Sequence, residues 1–173
     1  VSVMTVNNET GAIQPIYEIA AAIESHCKGK RKPKFHTDCV QAIGKIPVQL
    51  GAKGIDFAAL SAHKFYGPRG VGLLYAANQT ESFLKGGGQE KGMRSGTECV
   101  PLIAALHGAV EELPNPQSHL LKMREIYNYA KEKVTLDGDV IVNSSDEGLP
   151  YILNILIPGY RSETMLHFLE SRE

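Results

Sequence analysis

The sequence is poor in the features that mark several protein classes. Its 173 residues include three cysteines, Cys27, Cys39 and Cys99, and no C-x-x-C pair. An odd number of scattered cysteines supports neither a disulfide framework nor a zinc site, and it leads us to expect a reducing, cytoplasmic setting. Charge of one sign is also missing: 18 basic residues against 19 acidic ones leave a net charge of -1. With the two signs mixed along the chain there is no footprint for nucleic acid or an anionic membrane, and the one basic cluster, Lys28 to Lys34, reads as a solvated loop. No apolar run approaches the roughly 20 residues of a membrane span, no basic-then-apolar signal opens the chain, and there is neither an internal repeat nor a low-complexity tract. What is present is a globular composition, 43% hydrophobic and 21% charged, sufficient for a good core. The chain starts at Val1 in a strand pattern and ends at Glu173 within a helical one, and we expect a piece of a larger protein.

Val1 to Val6 alternates apolar and small polar residues and runs into the turn-forming Asn7-Asn8-Glu9-Thr10-Gly11, which predicts a strand ending in a polar loop. From Pro15 the period lengthens: Ile16, Ile19, Ala20 and Ile23 fall on one helical face, and Gly29 ends the run. A short strand, Lys34 to Asp38, follows, with Asp38 at its carboxyl end and a helical turn from Val40 to Ile46 after it. Ile55 to Leu60 predicts a third strand delivering Ser61 to Lys64, and Val71 to Tyr75 a fourth, whose short connection through Gly67, Pro68 and Gly70 permits antiparallel pairing. Strands alternating with helices, and polar residues gathered after strand ends, predict an α/β fold with a mostly parallel sheet and a ligand crevice at the strands' carboxyl edge.

Asn78 to Val100 is a long polar loop, which within a compact domain marks function or an interface. Leu102 to Leu113 predicts a helix with Pro101 in its first turn, and Pro114-Asn115-Pro116 breaks it, so we place a domain boundary there: 1–113 and 114–173. Beyond it lie a charged helix, Gln117 to Val134, with Leu120, Leu121, Ile126, Tyr127 and Ala130 as its buried face; strands at 140–142 and 151–157; and a last helix with Ser162 as N-cap and Met165, Leu166, Phe168 and Leu169 buried. That order suggests the start of a small α+β domain.

The residues that carry chemistry are Asp38, Gln41 and Lys64. A lysine amine between an apolar strand and a glycine-rich turn can form a Schiff base with the aldehyde of pyridoxal 5'-phosphate, and Ser61 and His63 offer a hydroxyl and an imidazole to a phosphate. A carboxylate at the end of the neighbouring strand, Asp38, can keep the pyridine nitrogen protonated, and Gln41 can hydrogen-bond the ring's phenolic oxygen. Each residue also has an ordinary reading, as a loop lysine, a turn-initiating aspartate and an exposed helix glutamine.

Five segments taken in order decide between these readings: Asn7-Asn8-Glu9-Thr10-Gly11; His36-Thr37-Asp38-Cys39-Val40-Gln41; Ser61-Ala62-His63-Lys64-Phe65-Tyr66-Gly67-Pro68; Gly86-Gly87-Gly88-Gln89-Glu90; and Arg94-Ser95-Gly96-Thr97. Together they closely resemble the cysteine desulfurases, class V, fold-type I pyridoxal-phosphate enzymes, over nearly the whole chain. The resemblance implies the second half of a three-layer, PLP-dependent-transferase-like large domain followed by the beginning of a small domain. It also implies roles: Lys64 as Schiff-base lysine and proton shuttle, Asp38 on the pyridine nitrogen, Gln41 on the phenolic oxygen, Ser61 and His63 on the phosphate, and Asn8 near the phenolic oxygen and substrate carboxylate. Thr97 would reach the phosphate of the partner subunit's cofactor across a homodimer interface. Such enzymes take sulfur from L-cysteine, leave L-alanine and an enzyme persulfide, and pass the sulfur to acceptor scaffold proteins for iron–sulfur clusters or to thiolated cofactors.

Other parts of the family pattern are expected outside this chain: a glycine-rich phosphate loop and a ring-stacking histidine before Val1, the nucleophilic cysteine and a carboxylate-binding arginine after Glu173. The chain alone is therefore not expected to work as a desulfurase. Cys39 stands where the family more often has alanine and reads as a buried small residue. Selenocysteine lyase and class V aminotransferase are the nearest enzyme alternatives, and a vestigial structural or interaction domain the non-enzymatic one. A thiol hydrolase built on Cys39 with His36 or His63 lacks an oxyanion hole. A phosphate-binding module fails because Gly87 to Gly92 continues into Met93-Arg94, where a nucleotide phosphate loop needs Lys then Ser or Thr. His26, His107, His119 and His167 fit no ligand spacing.

Overall fold

β-branched and apolar residues at alternate positions make short strands that pair through their backbones, and four of them form the sheet of this chain. The computed structural model describes residues 1–136 and 138–172. Strand β1 (Ser2–Met4) runs parallel to β2 (His36–Asp38), with Ser2 opposite His36 and Met4 opposite Asp38. Next to β2 lies β3 (Phe57–Ser61), also parallel, with Asp38 opposite Ala59. β4 (Gly72–Ala76) returns antiparallel to β3, as its short connection allows, giving the order β1-β2-β3-β4. A separate antiparallel pair, β5 (Ile141–Val142) and β6 (Ile155–Leu156), follows later in the chain.

Helix α1 (Ile16–His26) makes the crossover from β1 to β2 and buries Ile16 and Ala20. These pack with Phe35 and Ile55 in one core cluster, flanked by the half-buried Val3, Ile19 and Ile23. A second cluster joins Val6, Cys39, Ala42 and Ala58 to Leu149, with Leu120, Tyr151 and Ile152 packed against it. Residues from both sides of position 114 thus share one core.

Asp56 ties the chain just before β3 to the approach to β2. Its Oδ1 accepts from Lys34 Nζ at 2.8 Å and its Oδ2 from the Phe35 N–H at 2.9 Å, with Lys32 Nζ at 3.9 Å. Burial raises this carboxyl's pKa, but the Lys34 and Phe35 hydrogen bonds and the charges of Lys34 and Lys32 together outweigh it and hold it below the ordinary range. A folded-state pKa below the unfolded one contributes stability in full above about pH 4, and that contribution is lost as pH falls through the folded value. Asp56→Asn in the full-length protein is expected to cost about 1–2 kcal/mol at neutral pH. Denaturant midpoints measured down a pH series should show the gap from the unsubstituted protein narrowing below about pH 4.

Helix α2 (Val100–Glu111) opens with Pro101 in its first turn, and α3 (Pro116–Thr135) is capped by Asn115, whose side chain accepts from the Gln117 N–H at 2.9 Å. In α3 the covered stripe differs from the expected one. Tyr127 is buried and Leu120, Met123, Ala130 and Val134 are half-buried, whereas Leu121 and Ile126 are exposed. A 3.6-residue period puts 120, 123, 127, 130 and 134 on one side, and Leu121 and Ile126 lie off it. α4 (Ser162–Glu170) also departs from expectation: Leu166, Phe168 and Leu169 are exposed and only Met165 is half-buried, because no described element packs against that face. Ser162 is the first helical residue of α4; Arg161 occupies the cap position, with no side-chain cap bond. The helical pattern's last residue, Glu173, lies outside the described residues.

Candidate functional site

Three parallel strands in matched register end side by side, so the loops that follow them leave from one edge of the sheet. This places 5–11, 39–46 and 61–70 as neighbours, the arrangement in which open α/β sheets bind ligands. The first loop is shaped by Asn7, whose Oδ1 accepts from the N–H groups of Glu9 (2.9 Å) and Thr10 (2.8 Å) and from Thr10 Oγ1 (3.1 Å). Asn8 is left exposed at its crest.

Asp38 ends β2 and is exposed, and its Oδ1 accepts from the Val40 N–H at 2.8 Å. That bond starts the turn carrying Gln41 and leaves Oδ2 without a partner among the described residues. Gln41 is half-buried, and its Oε1 accepts from Lys45 Nζ at 3.0 Å. Ser61 closes β3, and Ala62–Lys64 forms a single 3-10 turn. Ser61 Oγ and His63 Nδ1 share a hydrogen bond of 2.9 Å, which fixes the imidazole against the strand end and leaves its Nε2 without a partner among the described residues. Lys64 is exposed, with no hydrogen bond or ion pair among the described residues.

The turn after Lys64 is held tightly. The N–H groups of Phe65 and Gly67 both donate to the Ala62 carbonyl, at 3.0 and 2.9 Å. A Cβ at Gly67 would stand 2.8 Å from Ala62 Cβ, so glycine is required for the fold-back. Tyr66 sits at φ 68°, a conformation bulky residues rarely adopt, and is 89% exposed. Beside Lys64 a small cavity is lined by Lys45, His63, Tyr66, His119 and Tyr151. Neither Asp38 nor Gln41 lines it, so the cavity adjoins the strand-end cluster and does not enclose it.

Lys45, His119 and Tyr151 were not singled out as site residues from sequence. His119 is half-buried and its ring stacks on Tyr151 with centroids 6.3 Å apart, a contact between segments that sequence spacing does not reveal. Lys45 had a weak signal, standing four residues after Gln41 in a helical turn. Burial lowers its pKa, with a further contribution from the Lys64 charge. Thr97 stands apart, exposed in the loop between β4 and α2 and without a hydrogen bond to this cluster.

Cys39 is fully buried, with its Sγ 3.2 Å from Thr5 Oγ1, which also bonds Thr37 Oγ1 at 2.8 Å. Burial pushes the thiol's pKa up despite the Thr5 and Thr37 hydrogen bonds, which favours the protonated form. His36 Nδ1 is engaged by Ser2 Oγ at 2.7 Å. A Cys39 nucleophile therefore has neither thiolate character nor a base.

The chemistry of the strand-end set suits pyridoxal phosphate: among the described residues it holds an amine without a partner, a carboxylate with one oxygen unbonded, a preset hydroxyl–imidazole pair and an amide whose NH₂ is unengaged.

Comparison with known proteins gives a consistent result. The family model described as aminotransferase class-V matches residues 1–173. A cysteine desulfurase of Rattus norvegicus is 50% identical over 179 residues, covering 98% of this chain and 38% of that protein. The mitochondrial cysteine desulfurase of Saccharomyces cerevisiae is 38% identical over 174 residues, covering 96% of this chain and 34% of that protein. The crystal structure of a NifS-like protein from Rickettsia africae superposes with a TM-score of 0.85 at 33% identity, over 96% of this chain and 46% of that one. The chain thus spans a little over a third of these two relatives. Relatives from Saccharomyces cerevisiae, Eremothecium gossypii and Drosophila melanogaster are named mitochondrial and one from Encephalitozoon cuniculi mitosomal, which overturns the expectation of a cytoplasmic protein. Unpaired cysteines do not identify a compartment.

Proposed function

The chain belongs to the class-V aminotransferase family of pyridoxal-phosphate enzymes, and from that premise we propose that it is part of a cysteine desulfurase taking sulfur from L-cysteine and leaving L-alanine. The observation that carries this reading is the Ser61–His63–Lys64 turn at the end of β3, beside Asp38 at the register-matched end of β2. When bound, the cofactor supplies an electron sink for breaking bonds at the substrate's α-carbon. Lys64 would hold it through its amine and move a proton at Nζ once that amine is released. Asp38 would keep the pyridine nitrogen protonated through its free Oδ2, and Gln41 would donate its NH₂ to the phenolic oxygen. Ser61 and His63 would grip the phosphate, and Asn8 would lie near the phenolic oxygen and the substrate carboxylate.

The sulfur would leave as a persulfide on a cysteine of the whole enzyme and pass to acceptor scaffold proteins for iron–sulfur or thiocofactor synthesis. A homodimer fits the exposed apolar residues on and before α2: Phe83, Leu84, Val100, Ile103 and Val110. Thr97, on the same stretch, would reach the phosphate held by the partner subunit. In this reading 1–113 is the second half of the cofactor domain and 114–173 the start of the small domain.

The test is covalent labelling. Full-length protein loaded with pyridoxal phosphate is expected to absorb in the visible, lose that absorbance on borohydride reduction, and carry the label on Lys64. Label on Lys45, the neighbouring lysine, would overturn the site. L-cysteine should yield L-alanine and sulfide in equal amounts under a reductant.

A further inference from the structure

Lys45 is a half-buried lysine with no carboxylate partner among the described residues, and the one hydrogen bond of its ammonium there goes to Gln41 Oε1 at 3.0 Å. Lysines are seldom buried without a paired charge, so this placement calls for a role. The two residues stand four apart on a turn stitched by the N–H groups of Ala42 and Ile43 to the Cys39 carbonyl and of Lys45 and Ile46 to the Ala42 carbonyl, at 2.9 to 3.1 Å. On its other side the Lys45 ammonium lies 6.0 Å from the centroid of the Tyr151 ring, which His119 stacks from α3. Contacts from two separate parts of the chain therefore hold the ammonium in place.

An ammonium only donates, and an amide can answer it only with its oxygen. The orientation of Gln41 is thus set by chemistry: Oε1 is occupied and both N–H donors are turned elsewhere. In the absence of Lys45 no hydrogen bond among the described residues would distinguish the two ends of that amide. We propose that Lys45 is a positioning residue that fixes the Gln41 side chain so that it can only donate to the cofactor's phenolic oxygen. This rests on the pyridoxal-phosphate reading above. A donor there stabilises the deprotonated oxygen and lowers the proton affinity of the lysine-bound cofactor. The other titratable groups facing Lys45 are His63, Lys64 and Tyr66 on the turn after β3, His119 on α3, and Tyr151. Lys64 shares the cavity, and its charge adds to the effect of burial in lowering the Lys45 pKa, in keeping with close approach of the two amines.

The experiment is a pH titration of the visible absorbance in full-length protein loaded with pyridoxal phosphate. In Lys45→Met the midpoint is expected to rise by about half to one pH unit, a roughly three- to tenfold gain in proton affinity. In Lys45→Arg, which keeps a donor and the charge, it should stay within about 0.2 units of the unsubstituted value. Because the effect runs through Gln41, Lys45→Met should add no shift in a Gln41→Leu background. An unmoved midpoint in Lys45→Met, or a shift that adds fully to that of Gln41→Leu, overturns the proposal. Lys45→Ala carries the same test should Lys45→Met not fold. The borohydride label separates the two levels: label on Lys64 with no shift sinks the Lys45 role alone, and absence of label on Lys64 sinks the cofactor reading with it.

Discussion

Lys64→Ala in the full-length protein is expected to lower desulfuration of L-cysteine by at least about 10²- to 10⁴-fold, the range for losing a positioned proton-transfer group, with loss of the covalent anchor in addition. The side chain is exposed and makes no hydrogen bond or ion pair among the described residues, so its removal takes nothing from the fold. The melting temperature of cofactor-free protein should therefore stay within about a degree of the unsubstituted one. Added pyridoxal phosphate should still meet Asp38 and the Ser61–His63 pair, and so bind weakly and dialyse away. Lys64→Arg should behave the same way, because a guanidinium keeps the charge but is not a nucleophile. Retention of borohydride-trapped cofactor in Lys64→Ala, with turnover within tenfold of normal, would contradict the assignment.

Phe35→Ala should be the most damaging core substitution. Phe35 is fully buried immediately before β2, packed with Ile16 and Ala20 of α1 and with Ile55 ahead of β3. Removing a buried phenyl ring costs about 3–5 kcal/mol, a large part of the 5–15 kcal/mol that stabilises a typical domain. The loss should also reach the site, because the Phe35 N–H donates to Asp56 and its carbonyl accepts from the N–H groups of Asp56 and Phe57 at 2.9 and 3.1 Å. These bonds set the alignment of β2 against β3, and hence of Asp38 opposite Ala59, two residues before Ser61. Chemical denaturation should show a lowered midpoint together with weaker cofactor retention. A Phe35→Leu variant, which keeps most of the volume, should recover much of both.

The elements that position the site were legible because their signals are local. Turn residues after Val6, Asp38 and Ser61 mark three strand ends, and the short link through Gly67, Pro68 and Gly70 allowed, without requiring, the antiparallel return of β4. The approximate span of α2 followed from Pro101 and the Pro114–Pro116 break in the same way. Periodicity locates an apolar stripe on a helix but does not say whether a partner exists to cover it, which is why Leu166, Phe168 and Leu169 were assigned to a core and are exposed in α4. Lys45 was missed for a related reason: a lysine four residues after a glutamine is commonplace, and only its burial against Tyr151, more than a hundred residues later, makes it unusual. The roles of Asn8 and Thr97 came from resemblance, and their exposed positions fit contact with a ligand or another chain without requiring it.

The loop that carries Asn8 is braced from far along the sequence. The Leu149 N–H donates to the Gly11 carbonyl at 2.8 Å, and Asn154 Nδ2 donates to the Glu9 carbonyl at 3.2 Å across a separation of 145 residues. Gly148 lies so close that an added Cβ would meet the Gly11 oxygen at 3.0 Å. During synthesis, then, β1 and its loop leave the ribosome well before residues 148–154 and wait for them before those braces can form. Contacts of such long range are made slowly, so this corner of the site is expected to form later than the locally bonded turns after β2 and β3.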